Sequence, residues 1–184
     1  MFKLNKTDII ILVLTFLLAT IVQEKVSSIA IVRGASMEHT LHDGDLLLIS
    51  KSWLRNPATV ERGDIVVVQL QEGDTKVVKR VVGVAGDHVD IKDGVLYLNN
   101  ALTLEDYTQG KTRRYSDTVL GEVPEGHVYV LGDNREFSYD SRDLGFISVD
   151  RIYGVWSGVK IKAGFIRDLF KNIIKAGAKT EWKH

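Results

Sequence analysis

The chain has 184 residues and balances 24 lysines and arginines against 24 aspartates and glutamates, so its formal net charge is zero. The charge is unevenly placed: residues 1–26 sum to +1, residues 27–163 to −4 and residues 164–184 to +3. An acidic centre argues against nucleic acid as a partner, and 45% apolar content argues against a disordered chain. The absence of cysteine excludes a disulfide scaffold, a thiolate nucleophile and a cysteine-ligated zinc site.

The first apolar segment is a run of 14 residues at 9–22 that only threonines interrupt. By length alone it favours a signal-peptide core or a buried helix, because a membrane span needs about 20 residues. Lys6 and Lys25 flank the run, and the segment from Lys6 to Lys25, both included, has 20 residues. These correspond to about 30 Å of helix, so lysines that extend to the interface let the segment span a bilayer.

We therefore predict a cytoplasmic N-terminus at residues 1–6 and a single transmembrane anchor at 7–26, with the rest of the chain extracytoplasmic. The orientation follows from the positive charges before the run, which favour the cytoplasmic side. A cleaved signal peptide is the main alternative, since Ser28-Ile29-Ala30 supplies a small-x-small pair at a suitable distance.

From residue 29 onward the apolar pattern mostly has the period of a strand. The predicted strands lie at residues 29–32, 46–49, 65–70, 77–84, 89–91, 95–98, 128–131 and 152–161. Asp93-Gly94 predicts a hairpin with a tight primed turn. The polar, turn-rich residues 99–126 are interpreted as an insertion or long loop. The pattern thus indicates a mainly β domain over residues 27–163.

The last 21 residues, 164–184, place apolar side chains at helical spacing with basic side chains offset from them. This pattern predicts a basic amphipathic helix. Such a helix either packs on the β domain or lies on an anionic membrane surface, and the sequence leaves both open.

Ser36 is a candidate nucleophile because it follows an apolar strand and precedes a turn, which exposes its hydroxyl. A serine needs a base to activate it. His39 or His42 is available for that task, with Asp133 or Asp140 to orient the ring, so a Ser-His-Asp triad stays open at this point. The same histidines and their acidic neighbours lack a supporting ligand cluster, and we expect neither a metal nor a cofactor.

Lys79 is the rival base. Strand alternation places it on the face of Val77 and Val81, so its amine is expected in apolar surroundings. An unperturbed lysine, with a pKa of about 10.4, is neutral in only about one molecule in 2,500 at pH 7. Burial must therefore lower that pKa by about 2 to 4 units before the lysine is useful as a base.

Four blocks occur in order along the chain and carry a family resemblance. They read GASMEHTL at 34–41, RGDIVV at 62–67, VKRVVGVAGD at 78–87 and GDNREFSYDSRDLG at 132–145. With the N-terminal apolar segment, they resemble the bacterial type I signal peptidases, which are membrane-anchored serine endopeptidases with a Ser/Lys dyad.

The resemblance implies a fold of antiparallel sheets that is shared with self-cleaving repressor proteases. It also implies cleavage of signal peptides from exported preproteins after a small-x-small motif, by a monomer held in the cell membrane. Preproteins and the lipid bilayer are the implied partners. Two alternatives stay open: a related Ser/Lys protease acting on itself or on one partner, and a catalytically weak, anchored domain that binds peptides.

The resemblance further assigns roles to individual residues. Ser36 resembles the nucleophile, its N–H an oxyanion donor and Lys79 the general base. Some relatives add a hydroxyl two residues before the serine, where this chain has Gly34. The supporting residues implied are Ser138, which orients the lysine, and the ion pair of Asp140 and Arg142.

Two positions depart from the family pattern. His39 and Ala85 stand where the family usually has proline, so neither position carries a ring that fixes φ. We expect looser turns there, with an effect on efficiency and substrate range. Because the family usually has proline at position 39, His39 is not expected to act as the base.

Overall fold

The computed structural model describes residues 5–51, 60–70, 75–115, 118–165 and 168. Helix α1 (Lys6–Val26) is followed directly by the first strand. Within the described ranges the strands are β1 (Ser27–Ile31), β2 (Leu46–Lys51), β3 (Ile65–Gln69), β4 (Lys76–Val84), β5 (His88–Lys92), β6 (Val95–Leu98), β7 (Ala101–Leu102), β8 (Gly121–Glu122), β9 (His127–Leu131), β10 (Ile147–Ser148) and β11 (Ile152–Ile161). Helix α2 (Ser141–Leu144) and a 3₁₀ helix (Val149–Arg151) lie between β9 and β11.

Helix α1 begins with reciprocal hydrogen bonds between Asn5 and Asp8, each backbone N–H donating to the other residue's side chain at 3.0 and 2.9 Å. Among the described residues, no helix combines the length and apolar character expected of a membrane span. The predicted tail at 164–184 lies outside the described residues, apart from positions 164, 165 and 168.

The strands form two antiparallel sheets. The larger has the order β1-β2-β11-β3-β4-β9-β10, and the smaller has the order β7-β6-β5-β8. Each of the eight predicted strands is present, which confirms a mainly β fold. The hairpin between β5 and β6 turns at Asp93 and Gly94, which have φ of +52° and +82°, as a primed turn requires.

The predicted insertion at residues 99–126 is partly regular. It contains β7 and β8, which pair with β6 and β5 in the smaller sheet. Between them, Gln109 forms an isolated parallel bridge to Asn134, so the segment crosses the 132–145 block. This contact is non-local, and for that reason the turn-rich composition of the segment did not predict it.

Three strands of the larger sheet, β4, β9 and β1, lead to or carry the parts of the site. β4 lies between β3 and β9, and β9 runs directly into the 132–145 block. β1 lies at the edge of the same sheet and runs into the loop that carries Ser36. The small-x-small pair Ser28 and Ala30 lies within β1, where both residues pair with β2.

Candidate active site

Ser36 lies in the loop between β1 and β2. Met37 and Leu41 are buried in the apolar cluster beneath this loop, and the Leu41 N–H donates to the Met37 carbonyl O at 2.8 Å. Gly34 has φ of +84°, which a glycine adopts at little cost, and its N–H donates to Asp43 Oδ1 at 2.8 Å. The apolar side chains hold the turn from below and leave Ser36 half-buried, facing β4.

Lys79 lies in β4 and is only 3% exposed. Its Nζ lies 2.8 Å from Ser36 Oγ, which is hydrogen-bond distance. Its cross-strand partner Val66 and its same-face neighbour Val81 are both fully buried, so the amine emerges from an apolar face as alternation predicts. The fold thus brings the candidate nucleophile and the candidate lysine base into direct contact.

Burial lowers the pKa of Lys79 from an ordinary 10.5 to about 8. The charges of Asp140 and Asp133 oppose this change, and the charge of Arg142 adds to it. No ion pair among the described residues includes Lys79. The amine is therefore desolvated without a carboxylate beside it, which is the environment that favours its neutral form.

Asp140 and Arg142 form a buried ion pair behind the dyad. Arg142 Nε and Nη2 donate to the two carboxylate oxygens of Asp140 at 2.8 and 2.9 Å. Asp140 Oδ2 also accepts a hydrogen bond from the Gly132 N–H at 3.0 Å, and its carboxylate caps α2. The pair therefore fixes the path of the chain immediately after β9.

Ser138 lies beside the serine loop. A Cβ at Gly132 would overlap Ser138 Oγ and would approach the Ser36 carbonyl O to 2.5 Å, so only glycine fits between the two serines. The Ser138 hydroxyl is buried and has no hydrogen-bond partner among the described residues. The structure thus places Ser138 next to the dyad without a hydrogen bond to Lys79.

Arg80, Asp133 and Thr40 form a second network that the sequence did not predict. Arg80 Nε and Nη2 donate to the carboxylate oxygens of fully buried Asp133 at 2.8 and 2.7 Å. Thr40 Oγ1 donates to Asp133 Oδ2 at 2.5 Å, which ties the end of the serine loop to β4. Arg80 and Asp133 occur in two of the four motif blocks, and their opposite charges are the sequence signal for this pair.

The described residues do not form the alternative Ser-His-Asp triad. Asp133 and Asp140 each bind an arginine, and His39 is exposed. His42 lies 3.8 Å from Glu38, outside the dyad. The described residues also hold no group of three histidine, aspartate or glutamate side chains that could bind a metal ion.

The two positions that lack the family proline differ in backbone conformation. His39 has φ of +75°, which a proline ring does not allow. Ala85 is the first central residue of a turn in which the Asp87 N–H donates to the Val84 carbonyl O at 2.9 Å and Gly86 has φ of +84°. That is a type II turn, which accepts proline at its first central position. At residue 39 the backbone is therefore in the left-handed region, a conformation that the proline usual at this position could not adopt.

A cavity of about 230 Å³ opens between β1 and β4, the strands that lead to Ser36 and carry Lys79. Lys76 Nζ lies 4.6 Å from the centre of the Tyr153 ring at this cavity. Its lining is about equally polar and apolar, and its residues are Ser28, Ile29, Ala30, Ile31, Val67, Lys76, Val78 and Tyr153.

Comparison with known proteins identifies the family. The family described as signal peptidase, peptidase S26, matches residues 5–159. Signal peptidase I of Bacillus licheniformis is 37% identical over 164 residues, covering 84% of this chain and 85% of that protein. Signal peptidase I T of Bacillus subtilis (strain 168) is 35% identical and covers 78% of each chain. A crystal structure of a signal peptidase I from Enterococcus faecalis V583 is 31% identical, covers 53% of this chain and 96% of that one, and has a TM-score of 0.44. This chain therefore belongs to the signal peptidase family S26.

Proposed function

We propose that the protein is a serine endopeptidase that removes N-terminal signal peptides from exported preproteins, with Ser36 as nucleophile and Lys79 as general base. Membership of the signal peptidase family supports the substrate class. The observation that carries the chemistry is the 2.8 Å contact between Ser36 Oγ and the buried Lys79 Nζ.

The lowered pKa makes Lys79 suited to this role. With a pKa of about 8, roughly a tenth of the lysine is neutral at pH 7. The neutral amine accepts the hydroxyl proton as Ser36 Oγ attacks the scissile carbonyl carbon. The carbonyl oxygen becomes an oxyanion, which the Ser36 N–H stabilises.

Collapse of this tetrahedral intermediate breaks the peptide bond. The Lys79 ammonium protonates the departing amine, which is the new N-terminus of the mature protein, and an ester on Ser36 remains. Neutral Lys79 then takes a proton from a water molecule that attacks the ester. The Lys79 ammonium returns this proton to Ser36 Oγ as the ester bond breaks, and the signal peptide leaves with a free carboxyl group.

The remaining candidate residues support the dyad. In this proposal, Ser138 turns its buried hydroxyl toward the Lys79 amine in the substrate complex, where hydrogen bonds often tighten. Asp140 and Arg142 hold the segment that carries Ser138. Gly34 offers no side-chain hydroxyl, so the Ser36 N–H carries more of the oxyanion stabilisation than in relatives that have one.

The substrate is proposed to bind as an extended strand beside β1, a sheet edge that leads to Ser36. The cavity between β1 and β4 is small, which suits the short side chains of a small-x-small motif. β1 itself is held by five residue pairs with β2, so its own Ser28 and Ala30 are not available as an extended substrate unless this pairing opens.

Residues 7–26 are proposed to anchor the enzyme in the cell membrane, with the β domain outside the cytoplasm. This proposal is supported by the large apolar side chains described between Ile9 and Leu17, which are 49–68% exposed and need an apolar surrounding. The cysteine-free sequence allows a direct test with a membrane-impermeant thiol reagent. Lys92→Cys should react in intact cells and Lys3→Cys only after lysis; the reverse would contradict the orientation.

The function is tested by incubating purified full-length protein with a preprotein that bears an Ala-x-Ala site. Ser36→Ala and Lys79→Ala should each abolish cleavage. Ser157→Ala and Lys92→Ala change an exposed serine and an exposed lysine away from the site and should leave cleavage unchanged. Normal cleavage by either dyad variant would contradict the proposal. Cleavage of its own chain alone would indicate a self-processing protease, and binding without cleavage a peptide-binding domain.

A further inference from the structure

Asn134 makes two hydrogen bonds to the segment that carries Ser36. Its backbone N–H donates to the Ser36 carbonyl O at 3.0 Å. Its side-chain Nδ2 donates to the Ala35 carbonyl O at 3.1 Å. Asn134 is 5% exposed, so one buried residue binds the carbonyl groups on both sides of the nucleophile.

The Ala35 carbonyl and the Ser36 N–H belong to the same peptide group. Because that group is planar and trans, the direction of the carbonyl fixes the direction of the N–H on its opposite side. The Ala35 carbonyl O also accepts from the Glu38 N–H at 3.1 Å, so two donors hold it. No residue in the described part of the chain accepts a hydrogen bond from the Ser36 N–H, which leaves this donor for an incoming group.

We propose that Asn134 is a positioning residue that aims the Ser36 N–H at the oxyanion of the transition state. The hydrogen bond from Nδ2 fixes the plane of the peptide and also polarises it, which makes the N–H a stronger donor. This inference rests on the proposed function. The orientation of the Ser36 N–H matters more in this chain than in relatives with a hydroxyl at position 34, because Gly34 supplies no second donor from its side chain.

Asn134 is itself held on both sides before any substrate arrives. The Gln109 N–H donates to the Asp133 carbonyl O at 2.8 Å, and the Arg135 N–H donates to the Gln109 carbonyl O at 2.9 Å. Arg135 also donates to both carboxylate oxygens of Glu105, at 2.6 and 2.8 Å. The segment between β7 and β8 thus fixes Asn134 in advance, as electrostatic preorganisation requires.

The test compares Asn134→Ala and Asn134→Asp with the wild-type enzyme. Asn134→Asp keeps the size of the side chain and removes the Nδ2 donor, so it serves if the alanine variant folds poorly. Removing an oxyanion donor outright costs about 10² to 10³ in kcat, so misaiming one should lower kcat by about 10- to 100-fold, with KM nearly unchanged. The pH midpoint of the reaction should not move in Asn134→Ala, because that variant neither touches Lys79 nor adds a charge near it.

A peptide aldehyde that ends in Ala-x-Ala gives the decisive readout. Ser36 Oγ adds to its carbonyl carbon, the serine proton passes to Lys79, and the aldehyde oxygen becomes an oxyanion that needs the Ser36 N–H. Both Asn134 variants should therefore bind the aldehyde about 10- to 100-fold more weakly. They should bind the matching peptide amide, which forms no oxyanion, as the wild type does.

Asn99→Ala is the matched control, since Asn99 Nδ2 donates to buried Asp87 at 3.0 Å beside the smaller sheet. It should lower the unfolding temperature without changing kcat. An unchanged kcat in the Asn134 variants, or equal weakening of aldehyde and amide binding, would overturn the inference. Failure of the proposed function is distinguishable, because the wild-type enzyme itself would then not cleave the preprotein.

Discussion

Lys79 and Arg80 are adjacent residues of β4 and lie on opposite faces of that strand. The surroundings of their positive charges differ. Lys79 is 3% exposed, and its amine contacts a single serine hydroxyl. The Arg80 guanidinium binds both oxygens of Asp133 and lies 3.9 Å from the centre of the Tyr107 ring. Lys79 is thus desolvated without an ion-pair partner, whereas Arg80 has both a carboxylate and an aromatic ring against its charge.

The difference shows how the same fold obtains a base and a structural tie from adjacent residues. At Lys79, burial lowers the pKa to about 8, so the amine can give up its proton. At Arg80, burial is also the largest single influence and lowers the pKa. The hydrogen bonds and charge of Asp133, with smaller contributions from Tyr107 and Glu105, together outweigh it, so the pKa is raised. Arginine would keep its proton in either environment, which is why only the lysine can serve as the base.

The largest expected effect comes from removing the uncompensated cation. Lys79→Met should lower kcat/KM for preprotein cleavage by at least about 10³-fold, because the Ser36 proton then has no acceptor. Steady-state cleavage by the purified enzyme measures this loss. A residual rate within about tenfold of the wild type would show that another group acts as the base.

Removing the charge of Arg80 and removing that of Lys79 should change the free energy of unfolding in opposite directions. Arg80→Met leaves Asp133 buried and unpaired, which should lower the free energy of unfolding by about 3–5 kcal/mol. Lys79→Met removes a buried charge without a partner and should raise that free energy by about 2 kcal/mol. Urea unfolding of the two variants under the same conditions measures both changes, and equal destabilisation would refute the comparison.

The stability contrast should also depend on pH. The pKa of Lys79 is about 8 in the folded state and about 10.5 in the unfolded state, so between these values the unfolded chain binds more protons. The free energy of unfolding of the wild type should therefore rise with pH in that window. Relative to Lys79→Met, the wild type should gain about 1 kcal/mol between pH 7 and pH 9. A constant difference would mean that Lys79 is not desolvated.

The smallest effects concern the two turns that lack proline. Ala85→Pro fits the first central position of its turn and should raise the free energy of unfolding by about 0.4–1 kcal/mol. His39→Pro meets a φ of +75° and should lower it by more than about 1 kcal/mol. Thermal unfolding of the two single variants tests the contrast. Stabilisation by both would show that the serine loop readily adopts the conformation of its relatives.

Much of the fold could be predicted because strands and tight turns have recognisable local sequence patterns. Alternation marked the eight main strands, and Asp93-Gly94 marked its turn. The order of the strands could not be predicted this way, since β11 lies between β2 and β3 and connects parts of the chain that are far apart. The two-residue strands β7, β8 and β10 are too short to show a period.

Local patterns likewise predicted only part of the candidate site. Strand alternation placed Lys79 in apolar surroundings, but only the family resemblance joined it to Ser36, which lies 43 positions earlier. The tie of Thr40 to Asp133 and the hold of Asn134 on Ala35 depend on where two distant loops meet. No local pattern encodes such a contact, and the φ of His39 is equally a product of its tertiary setting.

The pH dependence of kcat/KM for preprotein cleavage tests the central claim, that buried Lys79 acts as the base for Ser36. The rate should rise with pH through a single ionisation near pH 8, the pKa of Lys79. The midpoint should be the same in the Asn134→Ala variant. A rise centred near pH 6.5, the ordinary value of histidine, or a rate that does not change between pH 6 and pH 9, would contradict the claim.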